Sequence, residues 1–151
     1  MTTFATEETI AGTPDEIWEY AADIRRHPEW MAVTDARIVR GDGTQTGARG
    51  RERMRFGPFD WDIEFEVAEA APGRRLAWKN VSGAPFDMLV SLDLEPIALD
   101  RTKATYAAEI RLHGAWRLLA PVVAMEGKAG PEGELRRLKA RFEDLTRGGP
   151  S

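Results

Sequence analysis

Residues 49–67 read RGRERMRFGPFDWDIEFEV, and this stretch decides the fold. Arginine occupies every second position from 49 to 55, and an acid occupies every second position from 60 to 66. Because successive side chains of a strand point to opposite faces, the alternation predicts two strands that each have one charged face. A turn at Gly57 and Pro58 would join them into a hairpin. The resulting register pairs Arg55 with Asp60, Arg53 with Asp62, Arg51 with Glu64 and Arg49 with Glu66.

The opposite face of this hairpin is apolar, with Met54 on the first strand and Trp61, Ile63 and Phe65 on the second. These side chains need a cover, so the hairpin is expected to turn them toward a core or a cavity. Glu52 is the single carboxylate on that face. It is a candidate general acid/base or a hydrogen-bond acceptor for a ligand. The alternative is that Glu52 lies near a strand end, reaches solvent or pairs with an arginine, and does no chemistry.

The remaining pattern predicts five more strands and a small number of helices. Thr13 as N-cap and Pro14 at the first helical position predict a helix that begins there, and a short helical turn follows near Pro28. Strands are predicted at residues 3–11, 34–40, 74–80, 86–94 and 104–112. From residue 115 to residue 145 the apolar period becomes helical, with a kink or break expected at the glycine-rich segment 127–133.

Composition excludes several classes of protein. The 151 residues contain no cysteine, which removes disulfides, thiolate nucleophiles and cysteine-ligated metals, and is compatible with a reducing cytoplasm. A net charge of −4, with the hairpin arginines matched by acids, argues against nucleic acid as a partner. No apolar run is long enough for a membrane span, and the N-terminal residues lack the pattern of a signal peptide. We therefore expect a cytoplasmic location, and homodimerisation is compatible with the sequence.

The histidines do not predict a metal site. His27 and His113 are the two histidines of the chain, and neither has acids or histidines at metal-ligand spacing. No metal and no cofactor are expected, and His27 is interpreted as a surface or helix-end residue.

The order of elements is strand, helix, short helix, about six antiparallel strands and a long terminal helix, an α+β arrangement. The stretch TPDEIWEYAADIRRHPEWM at residues 13–31 resembles the START and pollen-allergen-like (SRPBCC) superfamily, within it the polyketide cyclase/dehydratase and lipid-transport group. The resemblance is carried by Pro14, Trp18, Asp23, Pro28 and Trp30. It implies a helix-grip fold, in which a curved antiparallel sheet of about 6–7 strands wraps around the C-terminal helix. Residues 1–147 would form one such ligand-binding domain, and residues 148–151 a frayed tail.

The resemblance also implies an internal cavity between the sheet and the terminal helix. The residues expected to contact a ligand there are Trp30, Met54, Trp61, Ile63, Phe65, Trp78, Asn80, Met88, Tyr106, Trp116, Leu119 and Val123. The leading hypothesis is a protein that binds a hydrophobic or aromatic, lipid-like or polyketide-like small molecule. The first alternative is a polyketide cyclase/dehydratase in which Glu52, with Tyr106 or Asn80, moves protons. The second alternative is a non-catalytic interaction module.

Overall fold

The computed structural model describes residues 2–56, 58–121 and 129–148. Within these ranges the seven strands are β1 (Thr2–Ala11), β2 (Val33–Arg40), β3 (Arg49–Phe56), β4 (Phe59–Ala71), β5 (Arg75–Ser82), β6 (Phe86–Ala98) and β7 (Arg101–Leu112). The α-helices are α1 (Pro14–Ala22), α2 (His27–Trp30) and α3 (Ala129–Gly148). Short 3₁₀ helices occupy Ile24–Arg26 and Gly114–Leu119.

The seven strands form one curved antiparallel sheet with the order β1-β7-β6-β5-β4-β3-β2. The register of the β3–β4 hairpin is the one that its charge pattern predicts, residue for residue. Several ion pairs nevertheless run diagonally: Arg51 reaches Glu64 at 3.3 Å and also Asp62 at 3.4 Å. Strand twist brings diagonal neighbours within reach of long side chains. The ladder thus sets the register, and its ion pairs are shared between neighbouring rungs.

Helix α1 begins where the sequence predicts, because Thr13 and Glu16 form a capping box. Its buried face meets the sheet, and the indole nitrogen of Trp18 donates to the carbonyl oxygen of Arg75 at 3.0 Å. The predicted short helical turn is α2, which follows the first 3₁₀ helix. The two short α-helices after the first strand therefore agree with the predicted helix-grip arrangement.

Helix α3 packs against β1 and β7 of the sheet and against α2. Leu135, Leu138 and Phe142 are apolar side chains that this helix buries at helical spacing. The ring of Phe142 meets that of Tyr20 edge-on, with centroids 6.0 Å apart. Among the described residues, no helix has both the length and the apolar character that a membrane span requires.

The prediction of one helical period from residue 115 onward needs a correction at its start. Residues Gly114–Leu119 form a 3₁₀ helix, which the chain enters through the left-handed conformation of Gly114. Within the predicted interruption at 127–133, the described part, residues 129–133, is already the first turn of α3. Proline is tolerated in a first turn, because the amide there has no helical partner, and this explains why Pro131 does not end the helix. Residues 122–128 and the last residues of the predicted tail, 149–151, lie outside the described residues.

Candidate functional site

A cavity of about 230 Å³ lies between the concave face of the sheet, the Gly114–Leu119 helix and the start of α3. Most of its wall is apolar. Eleven of the residues that the sequence proposes for a site reach this wall: Glu52, Met54, Trp61, Ile63, Phe65, Trp78, Asn80, Met88, Tyr106, Trp116 and Leu119. Strand parity brings them together, because residues of one parity on adjacent strands share a face of the sheet. Their contact with a ligand stays a prediction.

Two predicted site residues do not reach this wall in the described structure. Trp30 is fully buried in the core, where its ring packs on those of Trp78 and Tyr106 with centroids 6.1 and 5.8 Å away. It supports two wall residues and does not line the cavity. Val123 lies outside the described residues.

An aromatic cluster forms one part of the cavity wall. The rings of Phe59 and Trp61 are stacked, with centroids 5.6 Å apart and planes 8° from parallel. Trp116 packs edge-on against both, at 4.9 Å from Phe59 and 6.0 Å from Trp61. Phe86 also packs edge-on against Trp61, with centroids 5.4 Å apart. This arrangement presents flat, polarisable surfaces that suit an aromatic guest.

His27 lies at the start of α2, in agreement with a helix-end residue, but the structure buries it completely and so corrects the surface alternative. Its Nδ1 lies 2.5 Å from Oε1 of Glu52, and its Nε2 lies 3.0 Å from the carbonyl oxygen of Ala21. The burial of His27 could have been inferred from the sequence, because it lies three residues from both Ile24 and Trp30, which share the buried face. Glu52 therefore pairs with a histidine and not with an arginine, and its side chain keeps only 13% of its accessible surface.

The hydrogen-bonding partners of His27 restrict where its protons can sit. A backbone carbonyl can only accept, so Nε2 carries a proton and donates to Ala21. One further proton then lies between Nδ1 of His27 and Oε1 of Glu52. It belongs either to an imidazolium beside a carboxylate or to a carboxylic acid beside a neutral imidazole. Both forms have zero net charge, and the pair faces the cavity wall.

Three aromatic rings pack around the His27 imidazole. The rings of Trp78, Trp30 and Phe65 have centroids 5.5, 5.8 and 5.9 Å from that of His27. These contacts fix the ring orientation that presents Nδ1 to Glu52. The pair is thus preorganised by packing as well as by its hydrogen bonds.

Tyr106 on β7 and Glu134 on α3 form a second polar pair. The sequence interpretation named Tyr106 but missed Glu134. The Tyr106 hydroxyl donates to Oε1 of Glu134 at 3.3 Å, and the amide of Ala32 donates to Oε2 at 2.8 Å. Burial raises the pKa of Glu134 to about 7, and the negative charge of Glu52 adds to this, although the Ala32 amide and Arg137 oppose it. Burial, together with Glu134, also raises the pKa of Tyr106 well above its ordinary value.

Asn80 lines the cavity, but its amide group serves the backbone. Its Nδ2 donates to the carbonyl oxygen of Phe86 at 2.6 Å, and its Oδ1 accepts from the amide of Met88 at 2.7 Å. The side chain thereby bridges β5 and β6 beyond the last ladder pair of these strands, between Lys79 and Leu89. Its contribution to the cavity is the shape of the wall.

Comparison with known proteins shows which family the chain belongs to. Residues 1–143 match the sequence signature described as polyketide cyclase/dehydrase and lipid transport. The chain belongs to the polyketide cyclase/dehydrase and lipid-transport family. Among curated proteins, none matches the sequence at a significant level.

Solved structures similar to this family member share its fold at low sequence identity. A Thermus thermophilus protein is 17% identical, with a TM-score of 0.80 over 99% of this chain and 100% of its own. A START superfamily protein from Mycobacterium smegmatis is 16% identical, with a TM-score of 0.80 over 95% of this chain and 98% of its own. The Zhui aromatase/cyclase from a Streptomyces species is 14% identical, with a TM-score of 0.77 over 99% of each chain.

These likenesses confirm the predicted helix-grip fold, and the family match confirms the resemblance to the START-like superfamily. The family and the fold fit two activities, the binding of hydrophobic ligands and polyketide cyclisation. At such low sequence identity, structural likeness supports the shared fold and not a shared function. The choice between the two activities therefore depends on the cavity itself.

Proposed function

We propose that this protein binds a hydrophobic or aromatic small molecule in the cavity between the sheet and α3, within a single domain of residues 1–147. The observation that supports this proposal most is the cavity of about 230 Å³. It is larger than the engineered apolar cavity of about 150 Å³ that admits benzene. A wall that is mostly apolar, with polar groups confined to a few positions, is typical of small-molecule sites.

The first test is whether the purified protein carries or binds an apolar guest. Native mass spectrometry would detect a co-purifying molecule. Titration with prodan, a neutral naphthalene dye, would report binding through increased fluorescence. A protein that emerges empty and gives no fluorescence change would contradict the proposal.

A pair of variants on one strand separates cavity binding from surface binding. Ala108 lines the cavity, whereas its neighbour Ala107 points to the other face of the sheet and is partly accessible. Ala108→Phe should fill the cavity and abolish prodan binding, and Ala107→Phe should leave it unchanged. Circular dichroism checks that both variants are folded. Equal binding by the two variants would place the dye outside the cavity.

The second candidate function is polyketide cyclisation and dehydration, and the His27–Glu52 pair favours it. Aldol closure needs a base that removes a proton next to a carbonyl, and water loss needs an acid that protonates the leaving hydroxyl. As a carboxylate beside the His27 imidazolium, Glu52 would take up the proton next to the carbonyl and later return it to the leaving hydroxyl, which departs as water. The Tyr106 hydroxyl, turned from Glu134 toward the bound chain, would then donate to a carbonyl oxygen and orient it.

Turnover of a linear poly-β-ketone thioester tests this second candidate. Glu52→Gln should lower the rate by about 100-fold or more while the protein stays folded, because general acid–base catalysis contributes factors of that order. Glu64→Gln is the matched control, since Glu64 lies on the charged outer face of the same hairpin. Unchanged turnover in Glu52→Gln would remove Glu52 from the chemistry.

A further inference from the structure

The polar groups on the cavity wall offer hydrogen-bond acceptors. Oε1 of Glu52 faces His27, and Oε2 has no hydrogen-bond partner among the described residues. Oε1 of Glu134 has one long hydrogen bond, from the Tyr106 hydroxyl. A carboxylate oxygen can accept two hydrogen bonds, so both side chains retain acceptor capacity.

The donors next to Glu52 and Glu134 are already used, and the other indole donors of the wall belong to Trp61 and Trp116 in the aromatic cluster. Both ring nitrogens of His27 have partners, and the Tyr106 hydroxyl donates to Glu134. The indole nitrogens of Trp30 and Trp78 have no partner in the described part of the chain, but both atoms are inaccessible, so a ligand cannot reach them. An anionic group buried beside Glu52 and Glu134 would therefore meet carboxyl oxygens with no free donor next to them among the described residues.

The cationic side chains of the cavity wall lie at its rim. Arg55 and Lys79 contribute to the wall but are exposed residues. The Lys79 ammonium is also 3.4 Å from the carboxylate of Glu66 on the outer face. Arg55 and Lys79 thus bring no positive charge to the interior near Glu52 and Glu134, which is rich in acceptors.

We propose that the ligand is an aromatic molecule whose inner end is a hydrogen-bond donor, a hydroxyl or an amine, and that a carboxylate or phosphate at that end is rejected. The aromatic cluster of Phe59, Trp61, Phe86 and Trp116 holds the ring system, while Glu52 and Glu134 accept from the donor. This assignment rests on the proposed binding function and specifies its ligand class.

A series of four two-ring probes tests the assignment on the unmodified protein. The probes are naphthalene, 2-naphthol, 2-naphthylmethylamine and 2-naphthoate, titrated calorimetrically at pH 8. We expect the naphthol, the amine or both to bind at least about tenfold more tightly than naphthalene and naphthoate. One hydrogen bond to a charged group supplies a preference of this size. The two donor probes distinguish a neutral from a cationic donor.

The outcomes separate this inference from the function on which it rests. Naphthoate or naphthalene binding as tightly as both donor probes overturns the ligand class and leaves the binding function intact. Failure of all four probes and of prodan overturns the binding function itself, and the inference with it.

Variants locate the polar end of the bound probe. Glu52→Gln combined with Glu134→Gln should reduce the donor preference from about tenfold to less than about threefold. Arg53→Ala, on the outer face of the same strand and outside the cavity wall, should leave the affinities for all four probes unchanged. Tight naphthoate binding that falls in Arg55→Ala would place the polar end at the rim and overturn the proposal, whether or not the double variant folds.

Discussion

Glu134 provides a direct test of the electrostatics of the cavity, because folding moves its carboxyl group from water into a largely enclosed site. Burial raises its pKa from 4.5 to about 7. Between these two values the folded protein holds a proton that the unfolded chain has released. Unfolding therefore releases a proton, and a rise in pH favours unfolding.

The size of this effect follows from the interval between the two pKa values. Each pH unit within it lowers the free energy of unfolding by about 1.4 kcal/mol. Over the whole interval the contribution of Glu134 is about 3 kcal/mol. This stability is fully present below pH 4.5 and is lost as the pH rises to about 7.

The variant Glu134→Gln isolates the contribution, because glutamine does not titrate and can still accept from Tyr106 and Ala32. Urea unfolding followed by tryptophan fluorescence would give the free energy of unfolding of both proteins at pH 5, 6, 7 and 8. The stability of the variant relative to the wild type should rise by about 1.4 kcal/mol per pH unit up to about pH 7 and then level off. Parallel pH profiles from pH 5 to pH 7 would refute the burial argument.

Two further predictions concern packing around the site. Gly43→Ala should lower the free energy of unfolding by about 2 kcal/mol more than Gly47→Ala. Both glycines have positive φ, but only a Cβ added at residue 43 would overlap the carbonyl oxygen of Ala22. Equal losses in thermal unfolding would disprove the close contact. His27→Ala should destabilise the protein by about 3 kcal/mol, because it leaves the Glu52 carboxyl group without its partner. The double variant His27→Ala/Glu52→Leu should lose less free energy of unfolding than the two single variants together. Strictly additive losses in urea unfolding would show that the pair is not coupled.

Residues of the candidate site could be predicted where the alternation within a single strand was enough to assign them to the apolar face. Glu52 follows from its parity among Met54 and Gly50, without any knowledge of its partner. Glu134 carried a weaker signal: it lies three residues after Pro131 and four before Leu138, both buried, within a segment otherwise rich in charge. Charged residues in such a helix usually cover a solvated face, and the sequence interpretation therefore passed over it.

The sequence alone determined the charged hairpin, its register and the cap of α1, because these depend on residues that are neighbours along the chain or across one short turn. Tertiary structure decided that His27 meets Glu52, 25 residues away, and that Tyr106 meets Glu134, 28 residues away. Periodicity states which face of an element is apolar, but it does not state which elements meet. Sheet curvature and the docking of α2 and α3 bring the four side chains to the cavity, and that docking depends on packing across the whole core.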